Sequence, residues 1–155
     1  MSASCILKAM RKAARAIIIE SGKMLVMYRN KHGSEYFTLV GGRLNDDETP
    51  EQALVREIRE ETGLQITNYQ LVFIEEHTEP YNEQYIFLCE VAPHEPIAVQ
   101  NSSEEGTMNR MGMNIHAPRW VDVDALHTLA FRTPQLQTAM ISALKKGFPS
   151  QPVKL

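Results

Sequence analysis

The segment DETPEQALVREIREETGL (residues 47–64) carries the clearest structural signals in this sequence. Thr49 is suited to cap a helix that Pro50 begins, and Gln52 stands where the second partner of a capping box belongs. Gly63 occupies the position at which helices commonly end. The segment therefore predicts one helix with a cap at each end, around which the rest of the fold can be placed.

The side chains of this helix divide into an apolar face and an acidic face. With about 100° per residue, the apolar positions fill an arc of about 100°, which suits packing on a sheet. Glu57, Glu60 and Glu61 share a separate arc, where like charges repel by roughly 0.2–0.5 kcal/mol per pair. Two explanations are open at this point: a solvated acidic face, or carboxylates that converge on a divalent cation. The apolar positions are Leu54, Val55, Ile58 and Thr62.

The residues that precede the helix distinguish these explanations. From Gly42 the chain reads glycine, five residues, Glu48, seven residues, and then REIREETGL (residues 56–64). This order matches the signature G-x5-E-x7-R-E-U-x-E-E-x-G-U, with U aliphatic, at every specified position. At average residue usage, chance would produce such a match on the order of once in ten million chains. The chain therefore resembles the Nudix hydrolases.

The resemblance implies both a fold and an activity. The fold would be α/β, a Nudix-type α/β/α sandwich in which helices flank a mixed β-sheet. The activity would be hydrolysis of a pyrophosphate bond in a nucleoside diphosphate-linked metabolite or a (d)NTP, with Mg²⁺ or Mn²⁺ as cofactor. Within the family, hydrolysis of ADP-ribose, sugar nucleotides or dinucleoside polyphosphates is the alternative. A non-catalytic ligand-sensing module is a rival of another class, but such a module would be expected to lose one or more of the acids.

The resemblance also implies roles for single residues. Arg56 and Glu48 would form an ion pair that holds the preceding loop against the helix. One of the signature carboxylates would assist the attacking water. Val40 stands where the family often has proline, a departure that bears on the turn and removes no ligand. The implied metal ligands are the side chains of Glu57, Glu60 and Glu61 and the backbone carbonyl of Gly41.

Apolar runs outside this segment predict a sheet and a second helix. ARAIIIE (14–20) and KMLVMYR (23–29) meet at SGK (21–23) and predict a hairpin. RTPQLQTAMISALKKG (132–147) predicts a helix capped by Thr133, with Pro134 first and a basic end before glycine. Further strands are expected at EYFTLV (35–40), YQLVFIEEH (69–77), QYIFLCEVA (84–92) and PRWVDV (118–123). The turn TEPYNE predicts that strands 69–77 and 84–92 pair antiparallel.

Length and composition fit a single domain over residues 1–155. Residues 1–10 are expected to be a flexible leader, and about 148–155 a C-terminal tail. Cys5 and Cys89 form no metal or redox motif, which favours a reducing, cytoplasmic location. The net charge of -3 and the pI near 6.0 argue against nucleic acid as a partner, and no apolar run is long enough for a membrane span. A small nucleotide-like molecule is the expected partner, and a homodimer is one of the oligomeric states left open.

Weaker candidates lie outside the signature. Glu105, beside Glu104 in the long stretch 93–118, is a candidate base or ligand, although an acidic surface loop explains it as well. Arg29, near the end of the second strand, is a candidate phosphate contact or simply a solvated cation. Pro80 and Tyr81 point toward different Nudix subfamilies, and an ordinary turn accounts for both.

Overall fold

The computed structural model describes residues 11–76, 83–97 and 114–155. The elements of these ranges follow the predicted order, with a short 3-10 helix before the second α-helix. They are β1 (Lys12–Glu20), β2 (Lys23–Lys31), β3 (Ser34–Arg43), α1 (Pro50–Thr62), β4 (Ile66–Glu76), β5 (Glu83–Val91), β6 (Asn114–Asp122), the 3-10 helix (Val123–Thr128), α2 (Pro134–Lys146) and β7 (Val153–Lys154).

The described strands form one mixed sheet in the order β6-β2-β3-β1-β5-β4-β7. β1 is antiparallel to β3 and parallel to β5, which makes it the junction between the two halves of the sheet. β3 serves both halves, because its residues 34–39 pair with β2 and its residues 40–43 pair with β1. The predicted hairpin of β1 and β2 and the predicted antiparallel pairing of β4 with β5 are confirmed.

The two helices cover opposite faces of this sheet. α1 buries Ala53, Leu54 and Ile58 against one face, and α2 buries Leu136, Met140 and Ala143 against the other. Along β1, successive side chains alternate between the two cores, as expected for a strand covered on both faces. The predicted α/β/α sandwich is confirmed. In β1, Ala14, Ala16 and Ile18 face α1, whereas Ile17 faces α2.

The ends of α1 agree with prediction. The Thr49 hydroxyl accepts a hydrogen bond from the Gln52 amide at 3.1 Å, and the Gln52 side chain accepts one from the Thr49 amide at 3.0 Å. Gly63 ends the helix with φ 76°, and its N–H donates to the carbonyl of Arg59 at 2.9 Å. The capping residues therefore fix where α1 begins and ends.

The start of α2 departs from prediction in one detail. Thr133 precedes Pro134 as expected, but its side chain makes no capping hydrogen bond, so its predicted capping role is wrong. The ψ of Thr133 is 94°, whereas Thr49 has ψ 160° at the well-formed cap of α1. The Gln137 side chain instead ties this end of α2 to the preceding segment, donating to the carbonyls of Leu126 and Leu129 at 2.7 and 2.8 Å.

The segment predicted as a C-terminal tail returns to the sheet. Phe148 packs near Phe73 of β4, with ring centroids 6.4 Å apart. The Leu155 amide donates to the Ile74 carbonyl at 2.9 Å, so β7 adds a short parallel strand to β4. The predicted leader, residues 1–10, lies outside the described residues. In the described part of the chain, no helix combines the length and the apolar character needed to cross a membrane.

Candidate active site

Two carboxylates of α1 lie against two adjacent glycines at the end of β3. Glu61 accepts a hydrogen bond from the N–H of Gly41, with its Oε1 3.1 Å from the nitrogen. The Glu57 carboxylate occupies the space beside Gly42, where an added Cβ would be 2.6 Å from Glu57 Cδ. The helix and the strand therefore bring together residues that are 15 and 20 positions apart in sequence.

The two glycines are needed for different reasons. Gly41 has φ 133°, and a Cβ there would collide with the Ala14 carbonyl oxygen and lie 2.8 Å from the Cα of Arg15. This glycine permits β1 and β3 to approach closely. Gly42 has no positive φ, and the atoms nearest to the position of a side chain there are those of the Glu57 carboxylate. Gly42 therefore makes room for a functional group rather than for the backbone.

Arg56 connects the acids of the signature. Its Nε and Nη2 donate to the two carboxylate oxygens of Glu48, each at 2.7 Å, which is the bidentate geometry of a strong ion pair. Its Nη1 donates to Glu57 at 2.9 Å and to Glu60 at 3.2 Å. Nη2 also donates to the carbonyl of Arg43, the last residue of β3, at 3.1 Å. The implied Arg56–Glu48 contact is present, and Arg56 reaches further acids as well.

This ion pair keeps both of its members charged near neutral pH. The Arg56 side chain is the main cause that lowers the pKa of Glu48 from 4.5 to about 2, and the Asn45 amide adds a further hydrogen bond. Conversely, the hydrogen bond to Glu48 is the largest influence that raises the pKa of Arg56. The loop before α1 is therefore attached to the helix by a charged contact that neutral pH does not weaken.

The chemistry of the donors fits a hard divalent cation. Carboxylate and carbonyl oxygens are the ligands that Mg²⁺ and Mn²⁺ prefer. Within residues 11–76, 83–97 and 114–155, no three His, Cys, Asp or Glu side chains form a ready-made cluster for a metal. Glu57 and Glu61 meet at the glycines, whereas Glu60 has 59% of its side chain exposed and contacts Arg56. The contact of Glu60 with Arg56 uses Oε2, so Oε1 is the oxygen that could serve as a third ligand.

The carbonyl of Gly41 has a neighbour that the sequence analysis missed. The Arg15 guanidinium donates to it from β1, with Nη1 3.0 Å from the oxygen. A carbonyl oxygen has two lone pairs, so this bond leaves room for a second contact. The signal for Arg15 was present in the sequence, because a lone cation interrupts the apolar run ARAIIIE.

Arg29 lies on the same face of the sheet as α1, at a distance from the glycines. Its cross-strand partner is Tyr36 of β3. Tyr36 precedes Gly41 by five residues, which places the two roughly 17 Å apart along the strand. Its Nη2 is 3.4 Å from the Asn114 oxygen, and its guanidinium carbon is 5.6 Å from the centre of the Tyr36 ring. Arg29 Nε is buried with no hydrogen-bond partner in the described residues.

The neighbours of Arg29 extend this surface onto β6. His116 is directly opposite Arg29 in the strand pairing. Burial lowers the pKa of His116, and the positive charge of Arg29 lowers it further. Arg29 therefore belongs to a polar surface of β2, β3 and β6 rather than to the group of acids. The other candidates of the sequence analysis, Pro80, Tyr81, Glu104 and Glu105, lie outside the described residues.

Comparison with known proteins agrees with this fold. The model of the NUDIX domain matches residues 10–142. The chain therefore belongs to the Nudix family, as its signature predicted. It is 35% identical over 75 residues to an 8-oxo-dGTP diphosphatase of Proteus vulgaris, covering 47% of this chain and 67% of that protein.

Two further proteins show the breadth of the similarity. The chain is 31% identical over 121 residues to the NAD-capped RNA hydrolase NudC of Pasteurella multocida, covering 78% of this chain but only 38% of that protein. A structure from a study of MutT in Aliivibrio salmonicida and Vibrio cholerae aligns with TM-score 0.61 at 18% identity. That alignment covers 90% of this chain and 98% of the other, and it confirms the predicted fold.

Proposed function

We propose that this protein is a divalent-metal-dependent hydrolase that cleaves a pyrophosphate bond in a nucleotide or a nucleotide-linked metabolite. The observation that carries the proposal is the meeting of Glu57 and Glu61 at Gly41 and Gly42, with Arg56 bound to the neighbouring acids. Membership of the Nudix family supports the reaction class. The printed names of the relatives, a diphosphatase and an RNA-cap hydrolase, agree with it.

Each residue of the site has a defined part in this proposal. Glu57, Glu60 and Glu61, with the carbonyl of Gly41, would hold Mg²⁺ or Mn²⁺. When bound, such a cation supplies Lewis acidity that neutralises phosphate charge and acidifies water. Arg56 keeps Glu57 and Glu60 near the end of α1 and, through Glu48, fixes the loop that leads to it.

The proton of the attacking water needs an acceptor near the acids. One of the three signature carboxylates would take this role by general base catalysis. Glu105 is a further candidate for the base. Arg29, with an unsatisfied buried Nε on the face of the sheet that α1 also covers, is the proposed contact to the substrate's phosphate.

We propose a small nucleotide-like molecule as substrate and the cytoplasm as location. The acidic net charge disfavours long nucleic acids, because polyanions are repelled. The similarity to an RNA-cap hydrolase nevertheless makes a capped RNA 5′ end a useful arm of the substrate screen. The other arms are (d)NTPs, oxidised dNTPs, ADP-ribose, sugar nucleotides and dinucleoside polyphosphates.

The test measures product release from this panel with Mg²⁺, with Mn²⁺ and with a chelator. Glu60→Gln and Glu61→Gln should each lower turnover by orders of magnitude while circular dichroism and melting remain those of a folded protein. Glu51→Gln is the matched control, since it makes the same change in the first turn of α1, away from the glycines. Metal-dependent turnover that survives in both Glu60→Gln and Glu61→Gln would refute the assignment. Ligand binding without turnover across the panel would favour a sensing module.

A further inference from the structure

A polar network lies on the face of the sheet opposite to the acidic helix. On β1, Ala14 faces α1, whereas the partly buried Arg15 points to the other face, the one on which Ile17 joins the core. There the Arg15 Nε donates to the Gln84 side-chain oxygen at 2.9 Å. The Gln84 amide is 3.5 Å from a carboxylate oxygen of Glu75, its cross-strand neighbour.

Stability alone is a weak reason for this network. Glu75 is only 1% exposed, and the next positions on the same face, Ile17, Phe73 and Ile86, are buried apolar residues. Charged groups are costly to bury, and apolar side chains of similar volume often stabilise such sites at least as well. The contacts that Arg15 makes with backbone carbonyls of β3 indicate what the network does.

Arg15 also contacts the backbone of the site on the neighbouring strand, where Gly41 is its cross-strand partner. Its Nη1 donates to the carbonyl of Gly41 at 3.0 Å and to that of Leu39 at 3.3 Å. From the other face, Glu61 accepts the hydrogen bond of the Gly41 N–H. Gly41 is therefore bound on both sides, and its carbonyl belongs to the peptide that leads to Gly42, beside the carboxylate of Glu57.

We propose that Arg15, supported by Gln84 and Glu75, is a positioning residue that fixes the peptide between Gly41 and Gly42 and thereby the geometry of the cation site. The inference rests on the proposed function, because it concerns the same site. Arg15 touches neither substrate nor reacting atoms in this account. It acts through the orientation of one peptide plane.

The direction in which the cation affinity changes when Arg15 is replaced distinguishes a positioning role from a purely electrostatic one. A guanidinium near a cation site repels the cation, so loss of its charge alone should tighten cation binding. Loss of the fixed peptide should weaken binding, and residues that orient metal ligands typically change metal affinity or activity by about 10–100-fold. The two effects have opposite directions in the same variant, Arg15→Gln.

The experiment measures Mn²⁺ binding without substrate, from the electron paramagnetic resonance signal of free Mn²⁺. Arg15→Gln should raise the dissociation constant about 10–100-fold, and Arg15→Lys by less, since it keeps the charge and one donor. At saturating metal, kcat should fall in both variants, while KM for the best substrate of the panel stays near the wild-type value. Lys12→Gln is the control, because Lys12 lies on the same strand and pairs with Glu83 instead of the site.

Gln84→Met is the test variant if the Arg15 variants do not fold. It removes the partner of Arg15 Nε at similar volume, and it should weaken Mn²⁺ binding in the same direction by a smaller factor. The inference is overturned if Arg15→Gln binds Mn²⁺ as tightly as the wild type or more tightly. If Gln84→Met has to replace that variant, wild-type Mn²⁺ binding in Gln84→Met overturns it. Either result leaves the proposed function intact. If the wild-type protein neither binds Mn²⁺ nor hydrolyses any member of the panel, the proposed function fails and the inference fails with it.

Discussion

The substitution Gly42→Ala should separate activity from stability. The new Cβ would lie 2.6 Å from Glu57 Cδ, whereas ordinary contact begins at 3.4 Å, so the carboxylate must move by about 0.8 Å. A displacement near 1 Å in a catalytic group costs about 100-fold in rate, and we expect kcat to fall by that factor.

The same substitution should leave the fold almost unchanged. Gly42 has no positive φ, so alanine fits the backbone and reduces the entropy of the unfolded chain, worth about 0.4–1 kcal/mol. Disturbing the hydrogen bond between Arg56 and Glu57 opposes this gain. The free energy of unfolding should therefore change by less than about 1 kcal/mol, a shift of at most about 4 °C in melting temperature.

The assay combines turnover at saturating metal with thermal melting, in the wild-type and the Glu57→Ala background. Glu57→Ala removes the group with which the new methyl collides. In that background, Gly42→Ala should cause no further loss of turnover, so the effects of the two substitutions should not add. Wild-type turnover in Gly42→Ala would refute this reasoning, and so would losses that add in full in the double variant.

Two further predictions concern pH and metal. The folded-state pKa of Glu48 is about 2, below its ordinary 4.5, so its contribution to stability is present above pH 4.5 and is lost as the pH falls toward 2. Urea midpoints of the wild type should fall across this window more steeply than those of Glu48→Gln, and equal slopes would contradict the assignment. At 100 times its dissociation constant, Mg²⁺ should stabilise the protein by about 2.7 kcal/mol, or about 5–10 °C in melting temperature. The triple variant E57Q/E60Q/E61Q should show no such shift, and a wild-type protein insensitive to both Mg²⁺ and Mn²⁺ would show that the acids are only a surface.

Features encoded by neighbouring residues could be predicted from the sequence. The limits of α1 follow from the reciprocal bonds of Thr49 and Gln52 and from Gly63, all within or beside one helix. The hairpin of β1 and β2 and the antiparallel pairing of β4 with β5 follow from apolar runs that lie close together in the sequence. The signature predicted which acids belong together because its spacing is that of one helix and the loop before it.

Features that depend on distant residues could not be predicted in this way. The contact of Arg15 with Gly41 joins two strands whose register no local pattern defines. The return of Val153 and Lys154 to β4 depends on which sheet edge is free, and that follows only from the complete strand order. Thr133 has a suitable sequence position for a cap, but its ψ differs from that of Thr49, and no sequence signal encodes this difference.

Small residues lie between α1 and the sheet, two on β1 and one on the helix itself. Ala14, Ala16 and Ala53 are fully buried where the helix meets the sheet, so the helix can sit low enough for its carboxylates to reach the glycines. A methyl group added in this layer would raise the whole helix, and with it every acid of the site at once. In the proposed site, the distance between α1 and the sheet therefore sets the position of the acids, and we expect substitutions in this layer to change activity although no substrate touches it.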